Sequence, residues 1–100
     1  MAELRLRAAA AADLAAILDF SVESFGAQIA EAYLKSFEDA FDLLRRHPHA
    51  GALRVDLDIA PPLRCLPHRR HRIFYDTDGR SVVVVRILHY ARDVDALLGK

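Results

Sequence analysis

The sequence of 100 residues contains no tryptophan and only one cysteine, Cys65. One cysteine cannot form an internal disulfide, so we expect a reducing compartment, the cytoplasm. No run approaches the roughly 18 consecutive apolar residues that span a membrane, so no membrane association is predicted. Basic residues followed by the alanine-rich stretch after Arg7 give a faint likeness to a signal peptide, but none is predicted, because Asp13 interrupts the apolar run and no cleavage pattern follows.

Several kinds of chemical site are also missing. The four glycines are scattered along the chain, so no glycine-rich phosphate loop is present. The His47-x-His49 and His68-x-x-His71 pairs have no cysteine or carboxylate at motif spacing, and no metal or other cofactor is predicted. The serines lie within helix or strand patterns, and none resembles a strained nucleophile turn.

The charges are unevenly distributed although they sum to zero. Residues 1–50 hold five bases and eight acids, whereas residues 51–100 hold nine bases and six acids. Between residues 64 and 92 every base is arginine, at Arg64, Arg69, Arg70, Arg72, Arg80, Arg86 and Arg92. Arginine binds carboxylates and phosphates through a planar fork, which favours an anionic partner. An arginine-rich coding background would give the same composition, and the sequence leaves both explanations open.

Two apolar runs near the C-terminal end predict the centre of a sheet. Residues 71–75 (HRIFY) and 81–89 (SVVVVRILH) flank a DTDGR turn, in which Gly79 can take the positive φ of a hairpin. The run from Val82 to Leu88 is apolar on both sides of the pleat, which predicts cover on both faces. Arg86 interrupts this run, so its charge must reach a carboxylate or solvent.

The N-terminal half predicts one strand and two helices. Alternation in residues 3–7 indicates a short strand, and Leu14, Ile17, Leu18, Ser21 and Phe25 then follow helical spacing up to Gly26. A second stripe contains Ile29, Tyr33, Phe37, Ala40, Phe41 and Leu44 and ends before Pro48, and we expect its aromatic residues in the core.

The remaining patterns complete a single α+β domain over residues 1–100. Residues 52–62 indicate a loop with one short extended piece, residues 63–66 a strand, and residues 67–70 a basic turn. A short helix over residues 94–98 is expected to begin at the cap Asp93 and end at Gly99. The predicted fold has an N-terminal strand and a helical hairpin packed on a mainly antiparallel sheet of three to four strands.

This order of elements resembles the RelE/ParE superfamily, the toxins of type II toxin–antitoxin systems. The resemblance covers nearly the whole chain and rests on short segments: FG at 25–26, AY at 32–33, HP at 47–48, LR at 63–64, HRIFY at 71–75, RILH at 86–89 and RD at 92–93. The last three are most similar to the ParE branch. The resemblance implies a toxin of the plasmid-stabilisation type, neutralised by a cognate ParD-like antitoxin.

The ParE resemblance implies a protein that poisons DNA gyrase by binding and has no catalytic residues. The candidate contacts for antitoxin or target are Arg64, Arg69, Arg70, Arg72, Arg86, His89 and Arg92. No sequence-specific binding to nucleic acid is expected. Because two helices can cover only one face of the sheet, we expect an apolar surface near these arginines. An acidic antitoxin segment that folds on binding would fit this surface.

Two alternatives remain open at this stage. A RelE-type or YoeB-type ribosome-dependent endoribonuclease would use Arg72, His89, Tyr90 and Arg92. The two lysines of the RelE pattern fall near Leu63 and Cys65, however, and neither residue replaces lysine in proton transfer. A non-toxic module for protein interaction is the other alternative.

Overall fold

A five-stranded sheet with two helices packed on one face forms the fold in a computed structural model, which describes residues 1–99. The strands are β1 (Glu3–Leu6), β2 (Ala52–Arg54), β3 (Leu63–His68), β4 (His71–Thr77) and β5 (Ser81–His89). The helices are α1 (Ala8–Phe25) and α2 (Ala27–Arg46), and a π-helical turn covers Asp95–Gly99. No helix in residues 1–99 is long and apolar enough to cross a membrane.

The strand order is β1-β5-β4-β3-β2, with β1 parallel to β5 and every other pair antiparallel. The predicted hairpin of β4 and β5 therefore lies inside the sheet, as expected. Its turn is held by Asp78 Oδ1, which accepts hydrogen bonds from the backbone N–H groups of Arg80 and Ser81, both at 2.9 Å. Gly79 has a φ of 89°, which glycine adopts without the steric cost of a side chain.

The helical hairpin packs its apolar stripe on this sheet. Phe37, Phe41 and Leu44 of α2 are buried against Ile73 and Val84 of the central strands. Burial of each such side chain stabilises the fold by about 1.5–3 kcal/mol. The helices meet at Gly26, whose φ of 92° permits the abrupt change of direction between them.

The opposite face of the sheet has its own cover. Leu57 from the segment between β2 and β3 and Val94 after β5 pack on Phe74 and Leu88, and Leu97 and Leu98 join this cluster. Val82, Val84 and Ile87 are buried under the helices, whereas on the opposite face Leu88 is buried and Val85 only partly, so the predicted cover is present on both faces but incomplete on the second. The uncovered apolar surface lies instead at the end of the helical hairpin.

Three details correct the sequence prediction. The sheet has five strands because the short extended piece in the predicted loop, β2, pairs with β3 at the edge. The basic turn contains only Arg69 and Arg70, because Pro67 and His68 continue β3 in register with β4. The C-terminal turn is π-helical rather than an ordinary helix, although Asp93 Oδ1 accepts a hydrogen bond from the Ala96 N–H at 3.2 Å, as a cap would.

Candidate functional site

An open groove of about 760 Å³ lies between the helical hairpin and the end of the sheet that carries the β3–β4 turn. Its walls come from both helices, the turn, β4 and β5. The lining residues are Ala16, Ile17, Phe20, Ser21, Phe25, Ile29, Tyr33, Arg69, Arg70, His71 and His89. The helices supply an apolar wall, whereas the turn and strands supply cationic and imidazole groups.

The apolar wall consists of large side chains that the fold leaves in solvent. Phe20 and Phe25 of α1 are each 64% exposed, and Ile29 of α2 is 54% exposed. This corrects the sequence prediction that Phe25 and Ile29 belong to the buried stripes. Clustered exposed apolar side chains on a soluble domain are typical of an interaction surface.

The opposite wall carries the two arginines of the β3–β4 turn. Arg69 has a φ of 55°, a left-handed conformation that is unfavourable for a residue with a side chain. Its guanidinium carbon lies 5.8 Å from the centre of the Tyr33 ring, which is the geometry of a cation–π contact. No acidic residue lines the groove within the described chain.

A tyrosine and two histidines link the two walls. Tyr33 Oη and His71 Nδ1 are 2.7 Å apart, and the ring of His71 meets that of His89 edge-on at 5.3 Å. His89 Nδ1 accepts a hydrogen bond from the Ala91 N–H at 3.1 Å, so neutral His89 carries its proton on Nε2. Burial lowers the pKa of His71, and the charges of His89 and His68 lower it further.

A second hydroxyl–imidazole pair sits behind this one and has a structural role. The Ser36 hydroxyl donates to the Tyr33 carbonyl oxygen at 2.6 Å, so at 2.9 Å it accepts from His68 Nε2. Its proton is therefore not available for removal by His68. Burial also raises the pKa of Tyr33, which keeps that phenol protonated. The site can donate hydrogen bonds to an anion, but it contains no activated nucleophile.

Of the seven predicted contact residues, the structure brings only Arg69, Arg70 and His89 together at the groove. Arg64 donates to the carbonyl oxygens of Gly51 and His49, at 2.8 and 3.4 Å. Arg86 donates two hydrogen bonds to Asp13 of α1, which is the carboxylate that its place in an apolar strand required. Arg92 lies in the turn after β5, where its backbone N–H donates to the His89 carbonyl oxygen.

Arg72 and His89, two of the four residues of the ribonuclease alternative, lie on opposite faces of the sheet. Arg72 lies on the sheet face opposite the helices, over the Phe74 ring, and its Nη2 donates to the Tyr90 carbonyl oxygen at 2.9 Å. The ring of His89 points to the groove, where it meets His71. The Tyr90 ring stacks on His89 at 4.8 Å and is mostly exposed. The sheet thus separates Arg72 from the groove.

Tyr33, His71 and the exposed apolar wall are the parts of the site that the sequence analysis missed. The helical stripe predicts Tyr33 as a core residue, and the His68-x-x-His71 spacing suggests only a pair of metal ligands. The informative signal was the Phe25-Gly26 break, because a helix that ends there leaves its last apolar residues beyond the sheet. Residues 1–99 contain no group of three ligand residues placed to hold a metal.

Comparisons with known proteins agree with the fold and with the resemblance. The family model of the ParE toxin of the type II toxin–antitoxin system parDE matches residues 4–94. Toxin ParE1 of Mycobacterium tuberculosis is 36% identical over 91 residues, covering 90% of this chain and 91% of the relative. Toxin ParE3 of Caulobacter vibrioides is 35% identical over 78 residues, covering 78% and 76%.

A solved structure supports the same architecture. A chain of the chromosomal ParDE TA system from P. aeruginosa superposes with a TM-score of 0.74, covering 89% of this chain and 96% of that chain at 24% identity. At this identity the likeness establishes the fold alone, and the family follows from the sequence matches. The chain belongs to the ParE toxin family of type II toxin–antitoxin systems.

Proposed function

We propose that this ParE-type toxin arrests bacterial growth by poisoning DNA gyrase, and that a cognate ParD-like antitoxin neutralises it. Membership of the ParE family over residues 4–94 is the observation that carries the proposal. Gyrase acts in the cytoplasm, which is where we place the toxin. Stabilisation of a plasmid or chromosomal segment would be the cellular consequence.

The groove supports the antitoxin part of this proposal. An amphipathic helix of the antitoxin would cover Phe20, Phe25 and Ile29 with its apolar side. Acidic side chains of the same segment would meet Arg69 and Arg70. A segment of this kind is disordered alone and folds when it binds, because the groove supplies the apolar surface that it lacks.

The geometry favours inhibition by binding over RNA cleavage. A ribonuclease of this superfamily would need a proton acceptor, a proton donor and cations around one phosphate. Arg72 is held on the opposite sheet face by the Tyr90 carbonyl oxygen, away from His89. The ribonuclease and the non-toxic interaction module therefore serve as the alternatives that the experiment must separate.

The decisive experiment combines a gyrase supercoiling assay with in vitro translation, each with and without the antitoxin encoded beside the toxin. We expect loss of supercoiling with accumulation of cleaved DNA, unchanged translation, and recovery of supercoiling when the antitoxin is added. Messenger cleavage on ribosomes with intact supercoiling would favour the ribonuclease. No effect in either assay would favour the interaction module.

A further inference from the structure

The groove has one end whose donors are arranged for a single small anion. We propose that Arg69, Arg70, His71 and His89 form a carboxylate-binding subsite for an acidic side chain of the antitoxin, and that His71 takes up a proton when this carboxylate binds. The inference rests on the proposed docking of an antitoxin segment in the groove. Beyond that docking, the inference names the toxin residues that bind the acidic group and states how pH controls their contact with it.

The charges at this end of the groove are uncompensated. The four ion pairs in the described chain are Lys35–Asp39, Arg45–Asp42, Arg54–Asp56 and Arg86–Asp13, and none includes Arg69 or Arg70. Arg69 lies over the Tyr33 ring, and its charge also lowers the pKa of His68, so neither neighbour supplies a negative charge. Two adjacent free guanidinium groups beside an apolar wall favour a carboxylate that arrives on an amphipathic segment.

The backbone conformation at Arg69 is less favourable for arginine than for glycine, so this side chain lowers the stability of the turn. At a φ of 55° glycine or asparagine would be more favourable, by about 1 kcal/mol for glycine. Strained residues that the surrounding structure holds in place cluster at functional sites. Replacement of Arg69 by glycine therefore removes the charge and relieves the turn, which makes it a useful test variant.

The histidines supply donors of defined direction. His89 Nδ1 is occupied by the Ala91 N–H, so its Nε2–H is the group available to an anion. His71 Nδ1 faces the Tyr33 hydroxyl at 2.7 Å. When a proton from solvent binds Nδ1, that nitrogen becomes the donor to Tyr33 Oη and the phenol hydrogen turns away. The imidazole then carries a positive charge without losing its contact with Tyr33.

None of the groups that face His71 in the described chain supplies a negative charge to balance an imidazolium. Tyr33 of α2 is a neutral phenol, and His68 of β3, His89 of β5 and the two turn arginines are neutral or positive. The lining residues of α1 carry no titratable group. A bound carboxylate is therefore the component that would make the imidazolium favourable. Affinity for the antitoxin should rise as the pH falls from about 8 to about 6, around the ordinary histidine pKa.

Isothermal titration calorimetry with the antitoxin encoded beside the toxin tests this inference. Titrations at a pH of about 6.5 in two buffers of different ionisation enthalpy report the number of protons taken up on binding. We expect uptake of up to about one proton for the natural chain and almost none for His71→Gln. The Arg69→Gly/Arg70→Ser double variant should bind roughly tenfold more weakly. Circular dichroism and urea unfolding confirm that each variant is folded.

Arg80→Ser is the matched control, because Arg80 is an exposed arginine in the β4–β5 turn and does not line the groove. Its affinity and proton uptake should equal those of the natural chain. The subsite would be refuted if the double variant bound the antitoxin as tightly as the natural chain, or if His71→Gln took up as many protons. In either case, tight binding of the antitoxin would still support the proposed function. An antitoxin that does not bind the natural chain would instead refute the proposed neutralisation.

Discussion

Arg86 and Asp13 join β5 to α1 through a bidentate ion pair, across 73 residues of chain. Arg86 Nε lies 2.7 Å from Asp13 Oδ2, and Nη2 lies 2.9 Å from Oδ1. Asp13 Oδ2 also accepts the Ile87 backbone N–H at 2.9 Å, beyond the last β5 residue that pairs with β1. The Asp13 carboxylate thus neutralises the Arg86 charge in an apolar strand. It also accepts the hydrogen bond of the Ile87 N–H, which lies where β5 extends past the end of β1.

We expect Asp13→Asn to lower the free energy of unfolding by about 2 kcal/mol, because the Arg86 charge loses its partner in a largely buried position. Urea unfolding measures this change. Asp39→Asn is the control, since the Lys35–Asp39 pair is exposed on α2 and solvent screens it, so its loss should change stability far less. Equal effects of the two substitutions would contradict a structural role for the Arg86–Asp13 pair.

Gly51 and Tyr75 give a second prediction about stability. The fully buried Tyr75 hydroxyl donates to the Pro48 carbonyl oxygen and accepts the Gly51 N–H, both at 2.8 Å. A Cβ on residue 51 would lie 2.7 Å from Tyr75 Cε1 and 2.9 Å from the Cys65 carbonyl oxygen. Gly51→Ala should therefore destabilise the fold by about 2–3 kcal/mol through overpacking.

Gly26→Ala is the informative comparison for this prediction. No atom lies within 4 Å of a Cβ placed on residue 26, so only its φ of 92° opposes the substitution. Together with a ψ of 166°, this φ lies in a region that is open almost only to glycine, so the expected cost is about 1–3 kcal/mol from backbone strain alone. Thermal unfolding of both variants measures the two losses, and a loss below about 1 kcal/mol for Gly51→Ala would show that space around Tyr75 does not limit residue 51.

His68 and His71, the two partly buried histidines of the β3–β4 hairpin, should make the stability of the fold depend on pH. Burial lowers the pKa of His68 and His71 in the folded chain, and the positive charge of Arg69 lowers that of His68 further. The unfolded chain has a histidine pKa of about 6.5, so below this pH it binds more protons than the folded chain. Stability should fall as the pH decreases through about 6.5 and level off below the folded-state values.

Urea unfolding between about pH 5 and pH 8 measures this slope. The His68→Gln/His71→Gln variant should flatten it. The pKa of Asp56 is about 2 and that of Asp78 is also lowered, so the stability that these two carboxylates contribute is lost mainly below about pH 5, outside this range. A slope that persists unchanged in the double variant would assign the transition to other groups.

The sequence predicted the elements that depend on local periodicity and on turn chemistry. The stripe of α2, the break at Gly26 and the Asp78-Gly79 hairpin turn all came from neighbouring residues, and the structure confirms them. The three residues of β2 could not be predicted with the same clarity, because so short a strand forms by pairing with β3 rather than by its own pattern.

Predicting the groove requires information about how distant segments pack, which local sequence patterns do not contain. The spacing of Phe25 and Ile29 continues the buried stripes, but their exposure is decided by where the sheet ends relative to the helices. Similarly, Arg69, Arg70 and His89 were named as contacts, whereas Tyr33 and His71 entered the site only through a contact between α2 and β4. The arginine-only stretch between residues 64 and 92 predicted an anionic partner and thereby included Arg69 and Arg70, whereas only the three-dimensional structure shows which residues surround them.

The exposed apolar wall yields the last prediction, which separates binding from folding. Phe25 is 64% exposed, so Phe25→Ser should change the free energy of unfolding by no more than about 0.5 kcal/mol. If an antitoxin helix buries this ring, the same substitution should weaken antitoxin binding by about 2 kcal/mol, roughly thirtyfold. Leu53→Ser is the control, since Leu53 is 48% exposed on edge strand β2 and does not line the groove. Titration calorimetry of both variants measures the affinities. If Leu53→Ser weakened antitoxin binding and Phe25→Ser did not, the antitoxin would bind at the edge of the sheet and not in the groove.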